Sequence, residues 1–111
     1  MATTELPETI TRYLAAHLAG DGDTAIAAFH ADATVTDDGS THDGAAAIKD
    51  WMGRAAAEYT YTTELIGSER LDGTHYVVTN RLEGNFPGGL VDLRYRFTLR
   101  DGLIENLTIA P

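Results

Sequence analysis

The feature that most constrains the fold is a series of four β-branched and aromatic segments that fill the second half of the chain. These segments cover residues 59–70, 74–86, 90–100 and 103–109. They are separated by Asp72-Gly73, Pro87-Gly88-Gly89 and Asp101-Gly102, which are typical turn sequences. Because turns this short join neighbouring strands that run in opposite directions, the sequence predicts a curved four-stranded antiparallel sheet.

The segments ahead of this sheet have the periodicity of amphipathic helices. In the first, large side chains recur every three or four residues, at Leu6, Ile10, Tyr13, Leu14, His17 and Leu18. Gly20 is expected to end this helix, and Asp21 or Asp23 to cap a short second one. In that second segment, Ile26 and Phe29 should face inward. The alanine-rich segment 45–58 predicts a third helix with one apolar side, formed by Ile48, Trp51, Met52 and Ala55.

A short strand is predicted between the second and third helices. Alternate residues of a strand face the same side, so Ala33, Val35 and Asp37 should share the buried face. Asp38 would then face solvent, and residues 39–44 would form a polar turn. The resulting fold is α+β, a single domain over residues 1–111 in which three N-terminal helices pack on one face of the sheet.

The alternation along residues 90–100 defines the inner face of the sheet. Its apolar side carries Val91, Leu93, Tyr95, Phe97 and Leu99. Arg81, Arg94 and Arg96 are expected on the outer face, paired with Asp92 and Glu83 across strands. Segment 74–86 is less clear, because both of its faces hold apolar residues. For the last strand two alternatives stay open, since the inner face could hold either Ile104, Asn106 and Thr108 or Leu103, Glu105, Leu107 and Ile109.

Composition argues against several functional classes. The chain of 111 residues has a formal net charge of −9, which would be repelled by a nucleic-acid backbone or an anionic membrane, so we expect neither as a partner. It has no cysteine, and therefore no disulfide and no thiolate nucleophile. The polar start of the sequence and its short apolar runs predict neither a signal peptide nor a membrane span, so a cytoplasmic location is expected.

Two segments of the first half resemble a known superfamily. The sequence RYLAAHLAGD followed by FHADATVTD resembles the nuclear-transport-factor-2-like (NTF2-like) superfamily, and its spacing is similar to that of ketosteroid isomerase. The resemblance implies an NTF2-like cone. It also implies that Tyr13 matches the oxyanion-hole tyrosine and Asp37 the general base, two roles well established in ketosteroid isomerase. The third catalytic position of that enzyme, a protonated aspartate, aligns through RYRF with Leu93, and Asp92 falls on the opposite face of the strand.

Five further residues are candidates for a ligand pocket, each with a structural alternative. His17 follows Tyr13 by one helical turn, although a histidine there is more often simply packed and hydrogen-bonded. Trp51 could form a pocket wall or belong to the core, and Tyr61 and Phe86 could lie at the cavity mouth. Leu93 would line the cavity where the related enzymes hold an acid. The histidines have no metal-binding spacing, so we predict neither a metal nor a cofactor.

The leading functional hypothesis is a small-molecule enzyme or binder with an apolar pocket, similar to ketosteroid isomerases and SnoaL-like polyketide cyclases. Asp37 would remove a proton next to a carbonyl group, and Tyr13 would donate a hydrogen bond to the enolate oxygen. The alternative is a noncatalytic ligand-binding or dimerisation module, in which Asp37 is only a turn residue bonded to local backbone. A homodimer formed sheet against sheet is also expected, because the outer face mixes Arg94 and Arg96 with Val77, Ile66 and Leu90.

Overall fold

The computed structural model describes residues 6–37, 39–58 and 60–111, with the backbone alone for residues 55–58. The elements follow the order α1 (Glu8–Ala19), α2 (Gly22–Ile26), β1 (Phe29–Asp37), β2 (Ser40–Asp43), α3 (Ala45–Glu58), β3 (Tyr61–Arg70), β4 (His75–Gly84), β5 (Leu90–Arg100) and β6 (Leu103–Ala110). The α+β class is confirmed, with helices packed against one face of a curved sheet. No helix among these residues is both long and apolar enough to cross a membrane.

The sheet is larger than the sequence predicts. It has six strands in the order β2-β1-β6-β5-β4-β3, and β1 pairs with β6 in parallel while every other pair is antiparallel. The four predicted strands do form an antiparallel meander. The prediction of a purely antiparallel four-stranded sheet is wrong, because β1 and β6 lie about seventy residues apart in the chain and no local pattern reports their pairing.

The predicted polar turn at residues 39–44 is mostly a strand. Ser40–Asp43 forms β2, which pairs with β1 in the register Asp37↔Ser40 and Thr34↔Asp43. Gly39, at a φ of 79°, supplies the left-handed conformation that a tight hairpin needs. Gly44 leaves the hairpin at a φ of 86°, and its N–H donates to the carbonyl of Ala33 at 2.8 Å. The predicted position of Asp38 lies outside the described residues.

The helix boundaries follow the predicted signals. Gly20 ends α1 with a φ of 71°, and the Asp21 carboxylate caps α2 by accepting from the N–H of Thr24 at 3.1 Å. Leu18, predicted on the buried stripe, is 60% exposed. At 3.6 residues per turn it lies about 140° around the helix from Tyr13, whereas the buried Ala16 lies about 60° away.

The second helix buries a smaller side chain than predicted. Ala25 is fully buried and Ile26 only half-buried, while Phe29 is buried but begins β1 instead of extending the helix. In α3, Ile48, Trp51 and Met52 are buried as predicted, and the Ala55 side chain lies outside the described set. These side chains pack with α1 against the inner face of the sheet, where they form the core.

A bulge settles the inner face of the last strand. Leu99 pairs with Ile104, but Thr98 pairs with Asn106, so that Glu105 is an extra residue in β6. The buried side chains are therefore Ile104, Leu107 and Ile109. Neither alternative from the sequence is right over the whole strand, because each assumed unbroken alternation.

Candidate functional site

A cavity of about 430 Å³ opens between the inner face of the sheet, α1 and α3. One part of its lining is aromatic or polar: His17, Asp37, Trp51, Tyr61, Phe86 and Tyr95. The other part is apolar: Leu82, Pro87, Val91, Leu93, Ile109, Ala110 and Pro111. Its size and its apolar wall with a few polar groups are typical of sites for small organic ligands. All five predicted ligand-binding residues and Asp37 lie in this lining.

Asp37 is the carboxylate of the cavity. It is the last residue of β1, on the same face as the fully buried Val35, and it is half-buried. The indole Nε1 of Trp51 donates to its Oδ2 at 3.0 Å. Within the described residues, the hydrogen bond to this carboxylate comes from the Trp51 side chain of α3. These residues therefore give no support to the alternative in which Asp37 is bonded to local backbone.

The rings of two histidines lie near the indole of Trp51. The ring of His17 lies parallel to the indole at a centroid distance of 6.4 Å, and the ring of His42 lies tilted at 5.9 Å. Burial lowers the pKa of His17, and the negative charge of Asp37 opposes that shift. His17 is therefore neutral at pH 7. No sequence pattern places His42 here, because its position depends on β2, and residues 39–44 are typical of a polar turn.

Tyr13 lies behind the cavity wall and is not among the lining residues. It is fully buried, and its ring contacts His17, Phe29 and Phe97 at centroid distances of 5.8, 5.2 and 5.9 Å. Within the described part of the chain, its hydroxyl has no hydrogen-bond partner. Burial raises its pKa well above the usual value, and charge on Tyr95, Tyr61 and Asp37 raises it further. Tyr95, Tyr61 and Asp37 are thus close enough to Tyr13 to interact with it electrostatically.

Tyr95 and Asn80 form a polar pair that sequence reasoning missed as part of the site. Tyr95 lines the cavity on β5, and Asn80 on β4 is 3% exposed, the one polar side chain recorded as buried among the described residues. Burial raises the pKa of Tyr95, and its side-chain hydrogen bond with Asn80 opposes that shift. The available signal was an asparagine that alternates with apolar residues, at Tyr76, Val78 and Leu82, along one face of the segment.

Strand register places Asp37 and Tyr95 in one row of the sheet. Asp37 pairs with Ile109 on β6, and Ile109 pairs with Tyr95 on β5. Residues opposite each other across strands share a face, and two strand spacings separate their Cα atoms by about 10 Å. The carboxylate and the phenol therefore flank Ile109 on the cavity side of the sheet.

The third catalytic position of ketosteroid isomerase is apolar in this chain. Leu93 is half-buried and lines the cavity, opposite Asn80 in the sheet. Asp92 is on the outer face, where Arg81 holds it through two hydrogen bonds of 2.9 and 3.2 Å and lowers its pKa. Among the described residues, no group of three or more histidine or acidic side chains could hold a metal ion.

The charges of the cavity have one sign. Its lining contains the Asp37 carboxylate and neither lysine nor arginine. Arg94 and Arg96 project from the opposite face of the sheet, beside Val77 and Leu71. The site thus favours neutral or cationic ligands over acids.

Comparisons with known proteins identify the family. Residues 10–106 match the SnoaL-like domain model. A candidate polyketide cyclase from Sinorhizobium meliloti is 34% identical, with 99% of this chain and 100% of the other covered and a TM-score of 0.91. A protein with a ketosteroid isomerase-like fold from Catenulispora acidiphila, in complex with trimethylamine, is 22% identical, with 96% and 87% covered and a TM-score of 0.83.

The fold recurs at still lower identity. An NTF2-like protein of unknown function from Cytophaga hutchinsonii is 13% identical, with 99% and 93% covered and a TM-score of 0.77. No curated protein sequence matches the chain. The chain belongs to the SnoaL-like domain family and has the NTF2-like fold.

Proposed function

We propose that the cavity binds a small, largely apolar compound with a carbonyl group, and that Asp37 transfers a proton at the adjacent carbon. The proposal rests on the Asp37 carboxylate, which lines a largely apolar cavity. A hydrogen bond from the Trp51 indole to Oδ2 holds this carboxylate in place. A general base needs a fixed carboxylate within reach of the substrate carbon. The activity would be of the isomerase or cyclase type.

Tyr13 is the proposed donor to the enolate oxygen. Its unpartnered hydroxyl is a hydrogen-bond donor that a ligand oxygen would satisfy. Because that hydroxyl is closed off behind the wall, contact with a ligand requires a small displacement of the lining. Leu93 supplies no second donor, and loss of one oxyanion donor typically costs on the order of 2.7–4 kcal/mol of barrier. We therefore expect efficient steroid isomerisation to be absent unless another side chain supplies that donor.

The test of this function is exchange of a carbonyl compound's α-protons with deuterated water, followed by NMR on a panel of apolar ketones. Asp37→Asn should abolish the exchange. Asp32→Asn, an equal change of charge on an exposed residue of the same strand, should leave it intact. Equal exchange in the wild type and Asp37→Asn would remove Asp37 from the mechanism.

A noncatalytic ammonium-binding module is the second candidate function. Four aromatic side chains surround the cavity together with one carboxylate and without a lysine or arginine. Such an arrangement attracts alkylammonium groups through cation–π and charge interactions. The structural relative from Catenulispora acidiphila was crystallised with trimethylamine. Calorimetric titration with trimethylammonium, with tert-butanol as a neutral control, distinguishes the two candidates. The module would be favoured if the wild type binds trimethylammonium but catalyses no α-proton exchange, and if Asp37→Asn abolishes that binding.

We also propose that the outer face of the sheet forms a homodimer. Ile66 and Leu90 are exposed on this face, and Val77 lies there beside Arg94 and Arg96. A mixed apolar and charged face of this kind is typical of a moderately polar interface. Sedimentation at micromolar concentration should show a dimer that Arg94→Glu and Arg96→Glu dissociate. A single species near 12 kDa that does not change with concentration would reject the dimer.

A further inference from the structure

We propose that Tyr95, positioned by Asn80, donates a hydrogen bond to the ligand's carbonyl oxygen in place of the acid for which this chain has Leu93. The inference rests on the proposed function of the cavity. It assigns a second oxygen-binding group to a residue that neither the sequence nor the resemblance singled out.

Position on the strand is the first argument. Leu93 and Tyr95 are two residues apart on β5, so they share the inner face and lie about 7 Å apart along the strand. Both line the cavity. A donor lost at one of these positions can therefore be replaced by a phenol at the next inward position, which still faces the same ligand.

Accessibility is the second argument. Tyr13 is separated from the cavity by the lining, whereas Tyr95 is part of it. The rings of both tyrosines lie beside that of Phe97, at centroid distances of 5.9 Å for Tyr13 and 6.5 Å for Tyr95, so the two side chains are close together. A ligand oxygen held by Tyr95 would therefore lie close to Tyr13.

Asn80 supplies the third argument, because it determines which way the Tyr95 hydroxyl can donate. Tyr95 pairs with Val78 across the sheet, which makes Asn80 its diagonal neighbour on the same face. Asn80 forms a side-chain hydrogen bond with Tyr95, and in the proposed arrangement its amide N–H donates to the phenol oxygen. The hydroxyl hydrogen of Tyr95 is then available to a second acceptor.

The resulting chemistry uses a neutral donor and moves no proton from the tyrosine. Burial raises the pKa of Tyr95, so the phenol stays protonated while negative charge develops on the ligand oxygen. Asp37 lies in the same row of the sheet on the far side of Ile109. The base and the donor are thus arranged to contact the carbon and the oxygen of one carbonyl compound.

The experiment measures binding of 4-nitrophenolate, an oxyanion whose visible absorbance reports its surroundings. The Asp37→Asn protein is used as the reference, since it lacks the repelling charge and cannot act as the base. Adding Tyr95→Phe should weaken the affinity about tenfold or more, as expected for loss of a hydrogen bond to a charged group. Tyr76→Phe is the matched control, because Tyr76 is a buried tyrosine of the same sheet face outside the cavity lining.

The positioning role of Asn80 is tested by a double-mutant cycle. Asn80→Leu should lower the phenolate affinity when Tyr95 is present and have no effect in the Tyr95→Phe background. An equal loss in both backgrounds would show that Asn80 acts only on the packing. Equal losses in Tyr95→Phe and Tyr76→Phe, or no phenolate binding by the Asp37→Asn reference, would overturn the assignment of Tyr95.

The two proposals can fail separately. If α-proton exchange requires Asp37 but Tyr95→Phe leaves phenolate binding unchanged, Asp37 remains the proposed base and Tyr95 is rejected as the second donor. Phenolate binding that requires Tyr95, without proton exchange in the wild type, would retain the oxygen-binding group and reject catalysis by Asp37.

Discussion

Replacing Tyr13 with phenylalanine should make the protein more stable and less active. The change removes one hydroxyl group that is fully buried and has no partner within the described residues. The ring contacts with Phe29, Phe97 and His17 do not involve that hydroxyl and are kept. The substitution therefore removes a desolvated polar group without opening a cavity in the core.

The size of the effect follows from the penalty for an unsatisfied polar group. Leaving such a group buried costs about 1–3 kcal/mol of unfolding free energy. For a chain of 111 residues, each kcal/mol corresponds to roughly 4 °C in the unfolding midpoint. Tyr13→Phe should accordingly raise the Tm by about 4–12 °C, while α-proton exchange falls because the enolate loses a donor.

Differential scanning calorimetry of Tyr13→Phe beside Tyr95→Phe gives the measurement and its control. Tyr95→Phe removes the same hydroxyl from a tyrosine that is hydrogen-bonded to Asn80, so it should lower the Tm by leaving a buried amide unsatisfied. A Tm that falls in both variants would refute the reasoning, because the Tyr13 hydroxyl would then have a stabilising partner. A higher Tm with unchanged exchange would assign the hydroxyl no role in catalysis.

Three other substitutions test the cavity. Leu93→Asp buries an acid whose pKa burial should raise, so the urea midpoint should fall further below that of the wild type at pH 8 than at pH 5; a difference independent of pH would show residue 93 to be exposed. Burial lowers the pKa of His17 in the folded protein. As the pH falls below about 6.5, His17 is therefore protonated in the unfolded chain before it is protonated in the folded protein. The free energy of unfolding should then decline by up to about 1.4 kcal/mol per pH unit, and His17→Gln should lack this decline. Identical pH profiles of the unfolding free energy in the wild type and His17→Gln would contradict the assignment. Gly84→Ala would place a Cβ 2.5 Å from that of Tyr61, so it should cost about 1–3 kcal/mol in urea unfolding and weaken ligand binding. Gly67→Ala, whose nearest atom would be 3.9 Å away, should not.

Local signals in the sequence predicted the elements better than their arrangement. The limits of α3 and β5 match the predicted segments, because alanine content, strict alternation and flanking glycines mark them. β2 was missed because four polar residues between glycines are typical of a loop, and only pairing with β1 makes them a strand. The parallel contact of β1 with β6 is a tertiary interaction without any local signature.

The candidate site was predictable where one element or the family resemblance carried the information. Asp37 and Trp51 come from β1 and α3, whose inward faces the sequence defines. Their hydrogen bond, however, depends on how α3 crosses the sheet. The sequence does not predict the position of His42, because it depends on the formation of β2. It does not predict the pairing of Tyr95 with Asn80 either, because that depends on the register between β4 and β5.

The buried polar groups that reduce the stability of the core lie close to the cavity. Elsewhere in the described residues the buried side chains are apolar or aromatic, whereas Asn80 and the Tyr13 hydroxyl are buried polar groups beside the half-buried Asp37. Each of these groups makes the native state less stable than an apolar side chain of the same shape would. Such costs are expected at functional sites, where a ligand supplies the missing partner. The same reasoning implies that ligand binding should stabilise the wild type more than Tyr13→Phe, because only the wild type has a donor left to satisfy.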